Sequence, residues 1–560
     1  MACQTARNLY AILNLKGATE ETKAMETSKR GLFLLIGVLA VSAVLGGLYG
    51  PSVKATAAGA NDIQDSVKSF TRVLAIVQQN YANPVDTDKV IYDGAIPNML
   101  RVLDPHSYFF DPKQYATFRE EQQGRYYGVG MTVAARENYT YVVAPMVGSP
   151  AYKAGIRPGD TILKVDDKAC DGLDTTQVAD LLKGPKGTEV KISLGREGWD
   201  KPIVVSVIRD EIPRPGVDFY SVVRPGIGYA RVSAFNETTD SDLAAALKDL
   251  DVSHLDGMIL DVRGNGGGLL QQAVGIGDMF LEKNQLVVSF HGRSAPERRF
   301  YAVRGNQGVT VPLIVLINGQ SASASEIVAG AIQDHDRGLV VGETSFGKGL
   351  VQTQFPLSEE TAMLLTVARY YTPSGRLIQR DYKNVSLYDY HYNPKPPRQP
   401  EVKLTDSGRQ VFGQGGITPD IVVAAPKLDP FEETLVRRGI FYPFPQGVGD
   451  FTRHYLGERP TVGKNFVVDD AVLAEFRRYL ESEHVRYSDE DIKDNLDWLK
   501  WRIRREVTTS VFGLNEGYKV ELENDPQLDK ALAAIPQAKA LYLNARKIVA
   551  QRQAIPEQQP

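Results

Sequence analysis

The chain has 560 residues, of which 43% are hydrophobic, 24% charged and 9% aromatic, a globular mixture that excludes whole-chain disorder and collagen-like structure. That length exceeds a single compact core, and about two to four domains are expected. Sixty-four basic against 68 acidic residues leave a formal charge of −4, which argues against a nucleic-acid partner.

The first distinctive segment is Gly31 to Gly50 (GLFLLIGVLAVSAVLGGLYG), free of charge, preceded by Lys29 and Arg30 and followed by VKATAAGA. A buried core helix is the plainer alternative, but the position and flanks suit export better. Residues 31–58 are therefore read as a signal peptide or a membrane anchor, both options open, with residues 1–30 on the cytoplasmic side. The 28 residues before Lys29 are long for a signal n-region, Met25 makes a more typical start, and residues 1–24 are a candidate mis-called start. The positive-inside rule places the remainder outside the cytoplasm, in the periplasm or another extracytoplasmic space, anchored to the inner membrane or released by cleavage. The two cysteines, Cys3 and Cys170, lie on opposite sides of this segment, so a disulfide framework and an all-cysteine zinc site are excluded.

From Asn61 to about Arg125 the text reads as helix, with Val67, Phe70, Val73, Leu74 and Val77 at helical spacing and a turn at Asp104-Pro105-His106. From Tyr127 to about Asp210 it becomes short alternating strands punctuated by glycine, and Pro213 and Pro215 mark a boundary. Between Gly226 and Pro426, apolar strands (Met258–Val262, Leu313–Ile317, Leu339–Val341, Met363–Ala368) alternate with helices such as Ser325–Gln333, which predicts α/β architecture. Beyond Pro426 the chain turns helical and charged, and Ser488 with Asp491 predicts a capping box opening one helix through Trp498 and Trp501.

Three segments carry candidate chemistry. Asp261-Val262-Arg263-Gly264-Asn265-Gly266-Gly267-Gly268 follows an apolar strand, and its successive glycines let a backbone approach closely and aim amides outward. A flexible turn is the bland alternative, and the spacing fits a dinucleotide fingerprint poorly. Asn318 to Glu326 (NGQSASASE) crowds small residues at a strand-to-helix turn, where free amides and positive potential gather. A serine oxygen there can attack a carbonyl while neighbouring amides hold the oxyanion; the competing reading is plain N-capping by Ser325. Gly342 to Gly349 (GETSFGKG) nearly spells a phosphate-binding loop. Gly349, however, lacks the magnesium-binding hydroxyl, and the next residues alternate like a strand, which argues against a nucleotide.

A serine hydrolase needs a base. None of the seven histidines sits in a motif pairing it with a nucleophile, and neither G-x-S-x-G nor H-E-x-x-H occurs. His335, flanked by Asp334 and Asp336, is the candidate triad member, although a solvated surface histidine is the plainer expectation. Lysine remains, and Lys348 in its glycine-flanked turn is the natural choice. At pH 7 an ordinary lysine is neutral in only about one molecule in 2,500. Burial among Phe346, the glycines and apolar strand ends would lower its pKa, and Gln352, four residues on, would orient the amine.

These segments together resemble the C-terminal processing (tail-specific) protease family. The string GQSASASEIVAGAIQD, FGKGLVQT, DVRGNGGGLL, ARYYTPSGR (Ala368–Arg376) and GITPDI (Gly416–Ile421) all agree with it, over about residues 62–425. The resemblance implies Ser323 as nucleophile, Lys348 as general base and Gln352 as the residue positioning the lysine. It implies an oxyanion hole made by the amide of Ala324 with that of Gly267 or Gly268. Members commonly carry proline where Gly266 stands and glycine where Gln320 stands, which blurs which glycine supplies the amide. The family also carries an inserted PDZ domain, which residues 127–209 resemble. There Tyr127, Gly128, Val129, Gly130 and Met131 look like the loop that cradles a terminal carboxylate, and the peptide would add as an edge strand.

The implied fold is α/β, a crotonase-like (ClpP-like) spiral core over residues 210–426. It would carry the inserted β-rich PDZ domain, a helical N-terminal region at 59–126 and a helical C-terminal extension at 427–560. The implied function is a serine endopeptidase of Ser–Lys type that recognises protein C-termini and cleaves nearby bonds in exported proteins, without metal or other cofactor. Its partners are protein substrates through their C-termini, with the membrane through the N-terminal segment if uncleaved, and an adaptor or a second copy as candidate contacts of the extension. A catalytically silent PDZ scaffold is the alternative function and a P-loop nucleotide-binding protein the remote one.

Overall fold

The computed structural model describes residues 57–554, apart from positions 137, 197, 384, 394–398, 445–446, 458 and 460–461. The apolar segment 31–50 lies outside the described residues, and within them no helix is long and apolar enough to cross a membrane. The described residues fall into two compact units, one up to residue 90 and one from residue 91 onward. In the first, the helix Ala57–Asn80 leaves Ile63, Val67 and Phe70 exposed.

The second unit is built on a six-stranded sheet in the order Val217–Arg224, Ile227–Val232, Gly257–Asp261, Leu313–Ile317, Leu339–Gly342, Ile421–Val422. Its first pair is antiparallel and every later pair parallel. Side chains alternate between the two faces of such a sheet, and a parallel sheet must be covered on both. Met258, Leu260, Leu313, Val315 and Val340 face a core closed by the helices Thr239–Asp249, Leu270–Phe280 and Ala324–Asp334. Their neighbours Ile259, Ile314, Leu316, Leu339 and Val341 pack instead on Leu528, Ala531, Ile535 and Ala538 of the helix Pro526–Ala554. The C-terminal extension therefore supplies one wall of the α/β core.

A second, antiparallel sheet centres on the strand Ala362–Tyr371, which pairs with Leu350–Pro356 and also with Tyr108–Phe110 and Leu286–His291. Tyr108–Phe110 falls where helix was expected. Three residues between turns carry no periodicity of their own, and the register with Met363 and Leu364 makes them a strand.

Residues 131–208 form a separate β-rich body around Val142, Ile162, Val178, Val190 and Ile192. Its chain enters and leaves through paired strands, Arg125–Gly128 against Asp210–Pro213. Beyond Pro430, the helices Pro430–Arg437, Asp450–Gly457, Asp470–Ser482 and Leu496–Phe512 close a further apolar cluster. The Ser488–Asp491 capping box forms, but the helix it opens ends at Asp494. A new helix begins at Leu496, so the single helix through Trp498 and Trp501 is two. The break is at Asn495, whose amide nitrogen donates to Asp429 Oδ2 (2.8 Å) and to the Asp491 carbonyl (3.0 Å).

Leu528 is fully buried under the sheet. Leu528→Ala is expected to destabilise this unit by about 2–5 kcal/mol, through lost transfer energy and the cavity left behind. A fall in the urea midpoint at unchanged slope measures it.

Candidate active site

The helix Ala324–Asp334 starts directly at the end of its loop, and Ser323 is its N-cap at φ 55°, ψ −113°. A non-glycine residue held at positive φ is a strained conformation that persists only where its surroundings fix it. Here they do. The Ser323 amide donates to Glu326 Oε2 (2.8 Å), and its carbonyl accepts from the Tyr370 hydroxyl (3.0 Å). The cap is thus Ser323 and not Ser325. Ser325 sits inside the first turn, and its buried hydroxyl donates to the Asn265 carbonyl at 2.9 Å.

Glu326 holds the site together. Its side chain is fully buried, and besides Ser323 its carboxylate accepts from the Ser345 hydroxyl (2.5 Å), the Gly347 amide (2.6 Å) and the Lys348 amide (2.9 Å). One oxygen, Oε2, receives both the Ser323 and Lys348 amides, so the two backbones meet on a single atom although 24 residues separate them. Burial pushes the Glu326 carboxyl above the usual range, and the donors around it oppose that shift.

Burial also lowers the Lys348 pKa, against the opposing pull of Glu326 and Asp104. The amine donates to Gln352 Oε1 at 2.8 Å. Gln352 in turn donates from Nε2 to the His106 carbonyl (2.5 Å), which fixes its amide so that the oxygen faces the lysine. His106 belongs to the Asp104-Pro105-His106 turn: Asp104 Oδ1 accepts from the amides of His106 (2.8 Å) and Ser107 (2.7 Å). Its ring shares a hydrogen bond with the Tyr390 hydroxyl at 2.8 Å. Burial, with Lys348 nearby, pushes the His106 pKa down to about 4, so this imidazole is neutral at physiological pH.

The glycine turn lies under Ser323. A side chain at Gly267, where φ is +100°, would put its Cβ 2.7 Å from Ser323 Cβ and 3.0 Å from the Ala324 amide nitrogen. Asn265, itself buried, anchors the turn. Its carbonyl accepts from the Ala322 amide (3.0 Å), its Nδ2 donates to the Val232 carbonyl (2.8 Å), and its Oδ1 accepts from the Gly267 amide (2.8 Å). That last bond turns the Gly267 N–H toward Asn265. Gly268 bridges to Phe235, and its Cβ position is filled by the Phe235 carbonyl. The structure thus brings Ser323, Ala324, Gly267, Lys348 and Gln352 to one place.

Sequence reasoning missed the parts played by Asn265, Glu326 and the His106 carbonyl. Glu326 three residues after Ser323 is a capping-box signal, whereas the parts of Asn265 and His106 rest on bonds to or from backbone atoms that residue type and spacing do not reveal. His335 is neither a triad member nor a surface histidine. Its side chain is 9% exposed, and its Nδ1 meets Asp406 Oδ2 (2.7 Å) while Nε2 meets the Leu286 carbonyl (2.7 Å). The phosphate-loop resemblance of Gly342–Gly349 ends in the strand Leu350–Pro356 where that motif requires a helix.

In the β-rich body, Tyr127 and Gly128 belong to the entry strand, and Met131 starts the strand Met131–Arg136. That strand is the edge of its sheet, next to Tyr139–Pro145. Between them the Val129 carbonyl accepts from the Ala151 amide (2.8 Å) and the Gly130 carbonyl from the Ser149 hydroxyl (2.7 Å).

The sequence model of peptidase family S41 matches residues 226–384, and that of the PDZ domain residues 141–196. A carboxy-terminal-processing protease of Bartonella bacilliformis is 40% identical over 359 residues, 63% of this chain and 80% of that protein. The carboxy-terminal processing protease CtpA of Bacillus subtilis is 35% identical over 341 residues, 60% of this chain and 72% of that protein. The solved structure of a photosystem II D1 C-terminal processing protease is 30% identical, with 62% of this chain and 85% of that one covered at a TM-score of 0.32.

Because any Cβ at position 267 collides with Ser323, Gly267→Ala is expected to lower kcat on the order of 100-fold by displacing the reacting atoms. Steady-state rates on an unfolded protein substrate measure this, with circular dichroism as the control for folding.

Proposed function

This chain belongs to the carboxy-terminal processing proteases of peptidase family S41, PDZ-bearing serine-type endopeptidases, and on that premise we propose that Ser323 is its nucleophile and Lys348 its general base. The observation that carries the assignment is the Glu326 carboxylate, which bonds the amides of both residues while burial favours the neutral amine. Lys348 takes the Ser323 proton as Oγ attacks the scissile carbonyl carbon, and the ammonium then protonates the departing amine. A water, deprotonated by the same lysine, then attacks the acyl-enzyme, and the ammonium returns that proton to Ser323 Oγ as the ester bond breaks. Gln352 accepts one amine hydrogen, which leaves the lone pair of the neutral nitrogen for the serine.

The Ala324 amide, at the helix N-terminus, is one donor to the oxyanion. Gly267 and Gly268 stay the candidates for the second. The Gly267 amide would have to exchange its bond to Asn265 for one to the oxyanion, whereas no such exchange is needed at Gly268. Residues Tyr127–Met131 are assigned to the carboxylate of a substrate's C-terminus, and the edge strand Met131–Arg136, beside the helix Thr175–Leu182, to pairing with the peptide behind it. The charge-free segment 31–50 supports an exported enzyme, retained at the inner membrane or released from it.

Two measurements test the reading. Ser323→Ala is expected to reduce cleavage of an unfolded protein substrate by at least about 10³-fold, and equal cleavage by both proteins would remove Ser323 from the mechanism. Burial disfavours the lysine cation, so the competent neutral amine accumulates as pH rises through a pKa below the ordinary lysine value. The rate kcat/KM should therefore climb about tenfold per pH unit below that pKa. His106, held near 4, adds no step between pH 5 and 9. A flat profile over that range, with chemistry rate-limiting, contradicts the lysine base.

A further inference from the structure

The glycine turn is held on two sides. On one, Asn265 and Ser325 tie it to the nucleophile loop. On the other stands Arg263, two residues before Asn265, whose side chain is only 17% exposed. Its amide and Nε both donate to Asp261 Oδ1 (2.9 and 3.0 Å) at the end of the strand Gly257–Asp261, and Asp261 Oδ2 also accepts from the Tyr229 hydroxyl (2.6 Å). The outer edge of the same guanidinium is taken by the C-terminal extension. Nη2 donates to Asp525 Oδ2 (2.7 Å) as well as to Asp261 Oδ2 (2.5 Å), and Nη1 donates to Asp525 Oδ1 (3.1 Å) and to Gln527 Oε1 (2.9 Å). Gln527 in turn donates to the Val423 carbonyl at 2.7 Å.

Asp525 has a second task. Its Oδ1 accepts from the amides of Gln527 and Leu528, both at 3.0 Å, and so caps the helix that covers the sheet. One carboxylate therefore joins the start of that helix to the start of the glycine turn. Asp525 lies far beyond residue 384, where the peptidase match ends.

We propose that Asp525 is a positioning residue for catalysis: through Arg263 it holds the glycine turn in register with Ser323, so that the C-terminal extension completes the oxyanion site. This rests on the reading of the glycine turn as oxyanion-binding. Asp261 grips this guanidinium from one side through Nε and Nη2, and Asp525 grips it from the other; losing Asp525 leaves Nη1 only the neutral Gln527 oxygen and the group fixed from one side instead of two. The turn that begins at Arg263 would then lose its outer support. Substrate ground-state binding, which does not use the oxyanion amides, would be untouched.

The test separates the clamp from the cap. Serine caps a helix about as well as aspartate but cannot grip a guanidinium with two oxygens. On the full chain, with active sites titrated by a serine-reactive fluorophosphonate, Asp525→Ser and Asp525→Ala are both expected to lower kcat about tenfold, with KM unchanged. This is less than the 10²–10³-fold cost of deleting an oxyanion donor outright. Asp525→Glu, which restores a carboxylate, should recover part of the loss. Wild-type kcat per titrated site in Asp525→Ser would overturn the proposal, as would a loss expressed wholly in KM. If Ser323→Ala cleaves as fast as wild type, the underlying catalytic reading fails instead, whatever the Asp525 variants do.

Discussion

A single buried carboxylate is the constraint on which the site depends. Glu326 gathers the Ser323, Gly347 and Lys348 amides and the Ser345 hydroxyl onto two oxygens, in a place that water does not reach. Unpaired, each of those buried donors would cost about 1–3 kcal/mol. Satisfying them all from one side chain makes the relative position of the Ser323 and Lys348 segments nearly a matter of covalent geometry. It also explains how Ser323 keeps a positive φ: the helix it caps, Glu326 and the Tyr370 hydroxyl all hold its backbone.

The same carboxylate has an electrostatic cost for the mechanism. An anion near Lys348 favours the ammonium, as does Asp104, while burial favours the free amine. The lysine value is set by that contest, and the chain keeps other charges from adding to it. Gln352 meets the amine as a neutral acceptor, and His106 is held neutral by its surroundings. A carboxylate in place of Gln352 would strengthen the hydrogen bond and the protonated form together.

The sheet links this chemistry to the far end of the chain. Strands buried on both faces need two apolar walls, and the second is built by residues 526–554. The loop that starts this wall carries Asp525 and Gln527 to Arg263, so an element remote in sequence touches the turn beneath Ser323. The extension is thus part of the peptidase core and not an appendage to it.

The motifs around Ser323, Lys348 and the glycine turn were legible because a strand-to-helix turn and a close backbone approach restrict residue type and local spacing. The α/β alternation was legible for a similar reason, since strands such as Leu313–Ile317 are uniformly apolar when buried on both faces. The strand Tyr108–Phe110, the break at Asn495 and the pairing of His335 were not, because each depends on a partner far away in the chain: Ala362–Leu364, Asp429 and Asp406. Local sequence determines what a segment can do. Which of those options is taken at Glu326, Asn265 and Asp525 was decided only when tertiary packing excluded water and brought these acceptors within reach of buried donors from distant segments.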